Sequence, residues 1–252
     1  MSNVSIHTSN LSIGYRRNAG QPAGDAVVQR DLTFSLHQGE MVCMLGPNGA
    51  GKSTLLRTLA GLQPALAGDC NLLKLSAAER ARQVALVLTE RTGAENTTVR
   101  DIVAMGRYPY IGFMGSLSEE DNRVVDLALQ QADIARYATR FFNALSDGEK
   151  QRVLIAKALA QTTPVILLDE PTAHLDLPNR ITLLQLLSRL AHEQGKTILI
   201  STHELSLALS FADRILLLAP DKEMRLASAD TLQKQDAFNQ AFGMDLTPFL
   251  HR

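Results

Sequence analysis

Apolar residues in this chain follow two patterns. Near the start they occupy alternate positions: Leu11-Ser12-Ile13, then Leu32-Thr33-Phe34-Ser35-Leu36, with Leu32, Phe34 and Leu36 on one face. Period-two segments of this kind predict half-buried, antiparallel strands. The stretch 16–25 between them carries Gly20, Pro22 and Gly24 and reads as a loop. After Gly39 the apolar residues form short unbroken runs at 41–45, 84–88, 165–168, 197–200 and 215–218. Parallel strands covered on both faces require such runs. Helical spacing lies between several of them, as in 180–193, where Ile181, Leu184, Leu187 and Ala191 share a stripe. This alternation predicts an α/β fold built on a doubly wound parallel sheet, with an antiparallel β portion at the N-terminus.

Residues 90–145 break the alternation, because they contain no strand-like apolar run. Thr98-x-x-Asp101 and Ser118-x-x-Asp121 read as helix caps followed by helical spacing, and Gly106 and Pro109 punctuate between them. An all-helical insertion between two core strands is expected there. Residues 221–252 are polar, with a short amphipathic pattern at Leu232, Ala237, Phe238 and Ala241, and are expected to pack on the core.

Composition narrows the setting. Of 252 residues, 45% are hydrophobic and 20% charged, enough for one large α/β domain. The net charge of −1 offers no basic field for nucleic acid. No apolar run approaches the roughly 20 residues that span a bilayer, and no signal-peptide pattern opens the chain. Cys43 and Cys70 lie outside any metal-ligand spacing and point to packing in a reducing compartment. The chain reads as cytosolic, serving a membrane, if at all, from outside the lipid.

The run at 41–45 leads into Gly46-Pro47-Asn48-Gly49-Ala50-Gly51-Lys52-Ser53-Thr54 and then a helical stretch. Strand, glycine-rich turn and helix are the setting of a phosphate-binding loop. Glycines permit close backbone approach, successive amides form an anion nest, and the helix N-terminus reinforces it. Lys52 is placed to reach β- and γ-phosphates, and the Ser53 hydroxyl to ligate Mg²⁺. The run at 165–168 ends in Asp169-Glu170. At the carboxyl edge of a parallel sheet these face the ligand crevice, where Asp169 would hold the metal and Glu170 would polarise water as a general base; a plain acidic cap on Pro171-Thr172 is the competing reading.

Leu145-Ser146-Asp147-Gly148-Glu149 contains a capping box, Ser146 with Glu149. Two readings stand for it, a structural cap and a second anion site at a helix N-terminus. His203 follows the run at 197–200 and is a candidate γ-phosphate sensor, or a hydrogen-bonded strand-end histidine. Tyr15 reads, on local grounds, as a strand-end aromatic.

In their order, the phosphate loop, Leu145 to Glu149, Asp169-Glu170, Ala173-His174-Leu175-Asp176 and His203 resemble the motifs of the ATP-binding cassette (ABC) ATPases over nearly the whole chain. The resemblance implies a P-loop NTPase (RecA-like) core comprising 1–89 and about 146–220, a helical subdomain at about 90–145 and a tail at 221–252, in a single domain over 1–252. It implies ATP and Mg²⁺ as ligands, with Tyr15 stacked on adenine. Two copies would pack head to tail, each ATP lying between one copy's phosphate loop and the other's Ser146, Asp147, Gly148 and Glu149. Asp176 would cross the dimer interface, Glu170 would be the catalytic carboxylate, and His203 would meet the γ-phosphate.

Thr98-Val99-Arg100-Asp101-Ile102-Val103 and Gly106-Arg107-Tyr108-Pro109-Tyr110 resemble the ATPase subunits of iron-siderophore, haem and cobalamin importers. Membrane permease subunits as partners, a substrate-binding protein as an indirect one, and a peripheral place on the cytoplasmic face of the inner membrane are then implied. A permease helix would meet residues 107–115. The alternatives are a non-transport ATP-driven switch, against which the chain lacks a long coiled-coil insertion or a second cassette, and a regulatory nucleotide-binding module.

Two departures from the family pattern matter. The usual LSGGQ is LSDGE here, so Asp147 sits near a neighbouring triphosphate and is expected to lower ATP affinity modestly. The usual metal-facing Gln after the second parallel strand is replaced at Thr89-Glu90. Ungapped spacing favours Thr89; chemistry favours Glu90 as the metal ligand.

Overall fold

A computed structural model describes residues 3–16, 26–88, 96–111, 115–173, 175–219 and 224–249. The alternating segments form β1 (Val4–Tyr15) and β2 (Ala26–His37), paired antiparallel. The short strand β4 (Ala67–Cys70), which the pattern did not show, adds to β1's other edge.

The unbroken runs become β3 (Met41–Leu45), β5 (Val84–Val87), β6 (Val165–Asp169), β7 (Thr197–Ser201) and β8 (Arg214–Leu217). Among the described residues these make a sheet ordered β5-β6-β7-β3-β8, mutually parallel, with β9 (Arg225–Ala227) antiparallel at the edge beyond β8. Both faces are covered, and strand alternation divides the core in two. Val42, Met44, Leu167 and Leu199 face α1 (Lys52–Leu59) and the antiparallel sheet, where Ile13, Leu32, Phe34 and Leu36 are buried. Cys43, Leu45, Leu168 and Ile200 face the remaining helices.

Four helices start where a side chain caps them through a reciprocal pair of hydrogen bonds. Ser76, Thr98, Ser118 and Ser146 each close a capping box, opening α2 (Ala77–Ala81), α3 (Val99–Ala104), α4 (Glu119–Gln131) and α5 (Asp147–Ala160). Between residues 96 and 145 the described backbone is helix and turn, apart from one bridge between Thr98 and Phe141. The helix expected over 180–193 is α6 (Leu177–His192), starting three residues earlier because Asp176 caps it and Pro178 fits its first turn. After α7 (Leu205–Phe211), the tail folds into α8 (Ala229–Lys234) and α9 (Ala237–Phe242), with Leu232 and Phe238 fully buried.

Arg107, next to the buried end of α5, is itself buried. It donates to Asp121 at 2.8 Å, to the Ala160 carbonyl at 2.8 Å and to Thr162 at 3.0 Å, and stacks 4.0 Å from the Tyr110 ring. The Tyr110 hydroxyl donates to the Gln161 carbonyl, while the Gln161 amide donates to Ala81 and Val84. The C-terminal end of α5 is thereby tied both to α4 and to the start of β5.

Candidate active site

The strand order places the carboxyl ends of β6, β7 and β3 side by side. Met44 is level with Ser201, and Ser201 is level with Asp169. The residues that follow these strands therefore converge on one crevice.

The loop after β3 is held tightly at its base. A Cβ on Gly46 would lie 2.2 Å from the Leu218 carbonyl oxygen, so only glycine passes there. Gly51, at φ +90°, turns the chain into α1. Lys52 is buried, and its Nζ donates to the carbonyls of Gly46 at 2.8 Å and Pro47 at 3.2 Å. Burial pushes its pKa below the ordinary lysine value, and the charges of Glu170 and Asp169 pull it partly back. Pro47, Asn48, Gly49 and Ala50 complete the loop, closed by the Ala50 amide donating to Pro47 at 3.2 Å.

The crevice's acidic side is ordered by a serine that the sequence pattern did not single out. Ser53 donates to Asp169 Oδ1 at 3.0 Å, and Ser201 donates to the same oxygen at 2.6 Å. Ser201 Oγ in turn accepts from the Glu170 amide at 2.9 Å. Its position directly across from Asp169 was the available signal, but it required knowing that β6 and β7 are neighbours. Glu170 adopts φ +47°, a left-handed conformation that costs energy for a residue with a Cβ. Its Oε1 lies 2.5 Å from His203 Nε2, and both side chains remain partly exposed. Behind them Glu204 accepts from Thr172 at 3.0 Å and from Arg180 at 2.5 Å.

The Ser53 hydroxyl and the Asp169 carboxylate are adjacent hard oxygen donors, the chemistry Mg²⁺ prefers. Mg²⁺ takes few protein ligands and completes its shell with waters and phosphate oxygens, so two such donors are a sufficient share from the protein. Thr89 and Glu90 lie outside the described residues, as does His174.

Tyr15 ends β1 as its position suggests, yet it also reaches the loop. Its hydroxyl is 3.3 Å from Thr54 Oγ1, and the side chain is half exposed. An aromatic surface thus stands open beside the phosphate loop.

Ser146 and Asp147 are exposed, and Gly148 and Glu149 half-buried, at the capped start of α5, on a different element from the strand ends that form the crevice. Glu149 Oε2 accepts from the Ser146 amide at 2.8 Å and hydroxyl at 2.9 Å. A hydrogen bond from Tyr137, then those from Ser146, hold its carboxyl down at a pKa of about 2. Asp147 projects into solvent, with Lys150 Nζ 3.6 Å away. A Cβ on Gly148 would meet only ordinary neighbours, Leu175 at 3.6 Å and Asn179 at 3.7 Å, so nothing within this chain demands a glycine there. Asp176 caps α6 by accepting from the Asn179 amide at 3.1 Å.

This loop, carboxylate pair and capped helix lie largely within residues 29–173, the segment matched by the family model described as ABC transporter. The chain belongs to the ABC transporter family, as its ATP-binding, ATP-hydrolysing type of subunit. Iron(3+)-hydroxamate import ATP-binding protein FhuC of Bacillus subtilis is 37% identical to this ABC ATPase over 246 residues, spanning 96% of the chain and 88% of the relative. An ABC transporter described as of metal-chelate type, solved in an inward-facing conformation, superposes with a TM-score of 0.81 at 29% identity, over 95% of this chain and 89% of that one. A dimeric ATP-binding cassette in a post-hydrolysis state with ADP and Pi bound has a TM-score of 0.74 at 28% identity, over 88% and 98%. No helix among the described residues of the ABC ATPase is long and apolar enough to cross a membrane.

Proposed function

We propose that this chain is the ATPase subunit of an importer for an iron-siderophore, haem or cobalamin type of substrate. It works as a head-to-tail pair, peripheral to the cytoplasmic face of the inner membrane, on permease subunits served by a substrate-binding protein. The carrying observation is the convergence of Lys52, Ser53, Asp169, Glu170 and His203 at adjoining strand ends, with Ser146 to Glu149 presented outward on α5. One copy thus offers a phosphate cradle with catalytic carboxylates and, elsewhere, a helix N-terminus able to face another copy's triphosphate.

In this reading Tyr15 stacks on adenine, and residues 46–54 cradle the phosphates through backbone amides. Lys52 exchanges its two loop carbonyls for phosphate oxygens. Ser53 and Asp169 hold Mg²⁺, which when bound neutralises charge on the transferring phosphate. Glu170 accepts a proton from the attacking water as the water oxygen bonds to the γ-phosphorus and the bond to the β–γ bridging oxygen breaks. His203 fixes the Glu170 carboxylate and reaches the γ-phosphate. From the second copy, Ser146, Gly148 and the α5 amides close over the same phosphates, with Glu149 fixing Ser146 and Asp176 lying at the interface. Closure and reopening of the pair move the permease.

An iron(3+)-hydroxamate import subunit among the relatives, and a metal-chelate type transporter among the similar structures, favour the substrate class. Isolation of the chain from native membranes, followed by identification of what accompanies it, tests the reading. A polytopic permease whose presence raises the chain's ATPase rate is expected. A chain that is never membrane-bound and that no permease stimulates would leave the non-transport switch as the better account.

A further inference from the structure

Gln29 is an uncharged polar residue in β2, on the antiparallel sheet, yet it is 5% exposed. Its amide nitrogen uses both hydrogens on backbone carbonyls of separate segments. It donates to Ala50 O, inside the phosphate loop, at 3.1 Å, and to Ala219 O, just beyond β8, at 3.0 Å. The neighbouring Leu218 carbonyl is the atom that abuts Gly46 at the loop's start. The far side of Gln29 packs under the loop's end, where a Cβ on Gly51 would lie 3.3 Å from Gln29 Cγ. One side chain therefore spans the space beneath the loop.

Peptide planarity gives this contact a consequence. In a trans peptide the carbonyl of Ala50 and the amide N–H of Gly51 point in opposite directions. Drawing the Ala50 oxygen down to Gln29 turns the Gly51 N–H away from the sheet, toward the side of the loop where phosphates are expected. Without that donor the Ala50–Gly51 peptide loses the partner that fixes its rotation, and two buried carbonyls lose a hydrogen bond. We propose that Gln29 is a positioning residue of the phosphate loop, setting the Ala50–Gly51 peptide so that its amide donates to the nucleotide's phosphates. The proposal rests on the ATP-site reading above and adds a residue outside the motifs that define that site.

The test compares ligands with and without phosphate on the full-length chain. Gln29→Met keeps the length and the apolar stem but has no donor; Gln29→Asn keeps the donor but is too short to span both carbonyls. In each variant the Kd for ADP is expected to rise about tenfold, the effect of one to two hydrogen bonds. The Kd for adenosine should stay within about twofold. In turnover, KM for ATP should rise while kcat holds within about twofold. Equal losses for ADP and adenosine, or unchanged ADP affinity in a folded variant, would overturn the proposal. If Gln29→Met fails to fold, Gln29→Asn carries the same comparison. Wild-type chain that binds neither ADP nor ATP would count against the ATP-site reading, whereas variant behaviour against a binding wild type addresses Gln29 alone.

Discussion

Asp147 occupies the first turn of α5, where a carboxylate complements the helix dipole and where Lys150 stands 3.6 Å away. These partners offset its charge within one copy, but in a closed pair it would also meet a triphosphate. Asp147→Gly should therefore tighten ATP-dependent pairing about two- to fivefold at low salt, the scale of an exposed charge interaction. The gain should fade toward 1 M salt, where the Debye length is about 3 Å; sedimentation of the pair with ATP at two salt concentrations reads it. Identical association at both would mean that Asp147 never faces the phosphates. Glu170 carries a sharper expectation. Its replacement by Gln removes the proton acceptor but keeps the shape, so hydrolysis should fall about 10²- to 10⁴-fold while an ATP-bound pair accumulates on sizing chromatography. Rapid turnover in that variant would remove Glu170 as the main base. Lys52, Ser53, Asp169 and Glu170 were legible because their chemistry is written in consecutive letters. Ser201 and Gln29 were not, since each acts on a segment far away in sequence and nothing local marks a serine at a strand end or a glutamine in an alternating strand.

Among the elements, α5 depends on groups at both ends. Thr98, Ser118 and Ser146 were readable as caps, because a capping box closes within four residues. The clamp at the other end of α5 could not be read, as Arg107, Asp121, Ala160 and Thr162 meet only after folding. Arg107→Ala leaves Asp121 as a buried charge without its partner and should destabilise the chain by about 3–5 kcal/mol, measured as a lowered urea midpoint. Asp121 adds a pH signature. Hydrogen bonds from Ser118, then the Arg107 guanidinium, lower its pKa from 3.8 to about 2 in the fold. A depressed carboxyl stabilises the fold fully above its unfolded value and loses that contribution as pH falls through its folded one. The stability gap between wild type and Asp121→Asn should thus be constant near neutrality and close between pH 3.8 and about 2. A gap unchanged at pH 3 would show that the carboxylate is not held this way.

For the whole molecule, the unbroken runs announced a parallel sheet, and each became a strand of it because only residues covered on both faces can be apolar without alternation. Their order across the sheet was not legible from one sequence, and that order is what brings β6, β7 and β3 together at the site. The tail was only partly readable: Leu232 and Phe238 showed an amphipathic pattern, but the edge strand β9, with its short run Arg225–Ala227, left no periodic signal. Phe238 is fully buried with Ile215 and Leu217 of β8 in the same core, so Phe238→Ala should cost about 3–5 kcal/mol, visible in urea unfolding; a loss near zero would mean the tail packs independently of the sheet. One last property follows from α5 being 14 residues of uninterrupted helix, gripped at Ala160 and bare at Ser146. At 1.5 Å per residue it is a lever arm of about 21 Å. Pivoting that arm by about 3° sweeps its tip through about 1 Å, the difference between a made and a broken hydrogen bond. Val153, Ile155 and Ala156 are buried along this arm, so such a tilt would have to carry the helices packed on it, and its displacement would be largest at the Ser146 tip.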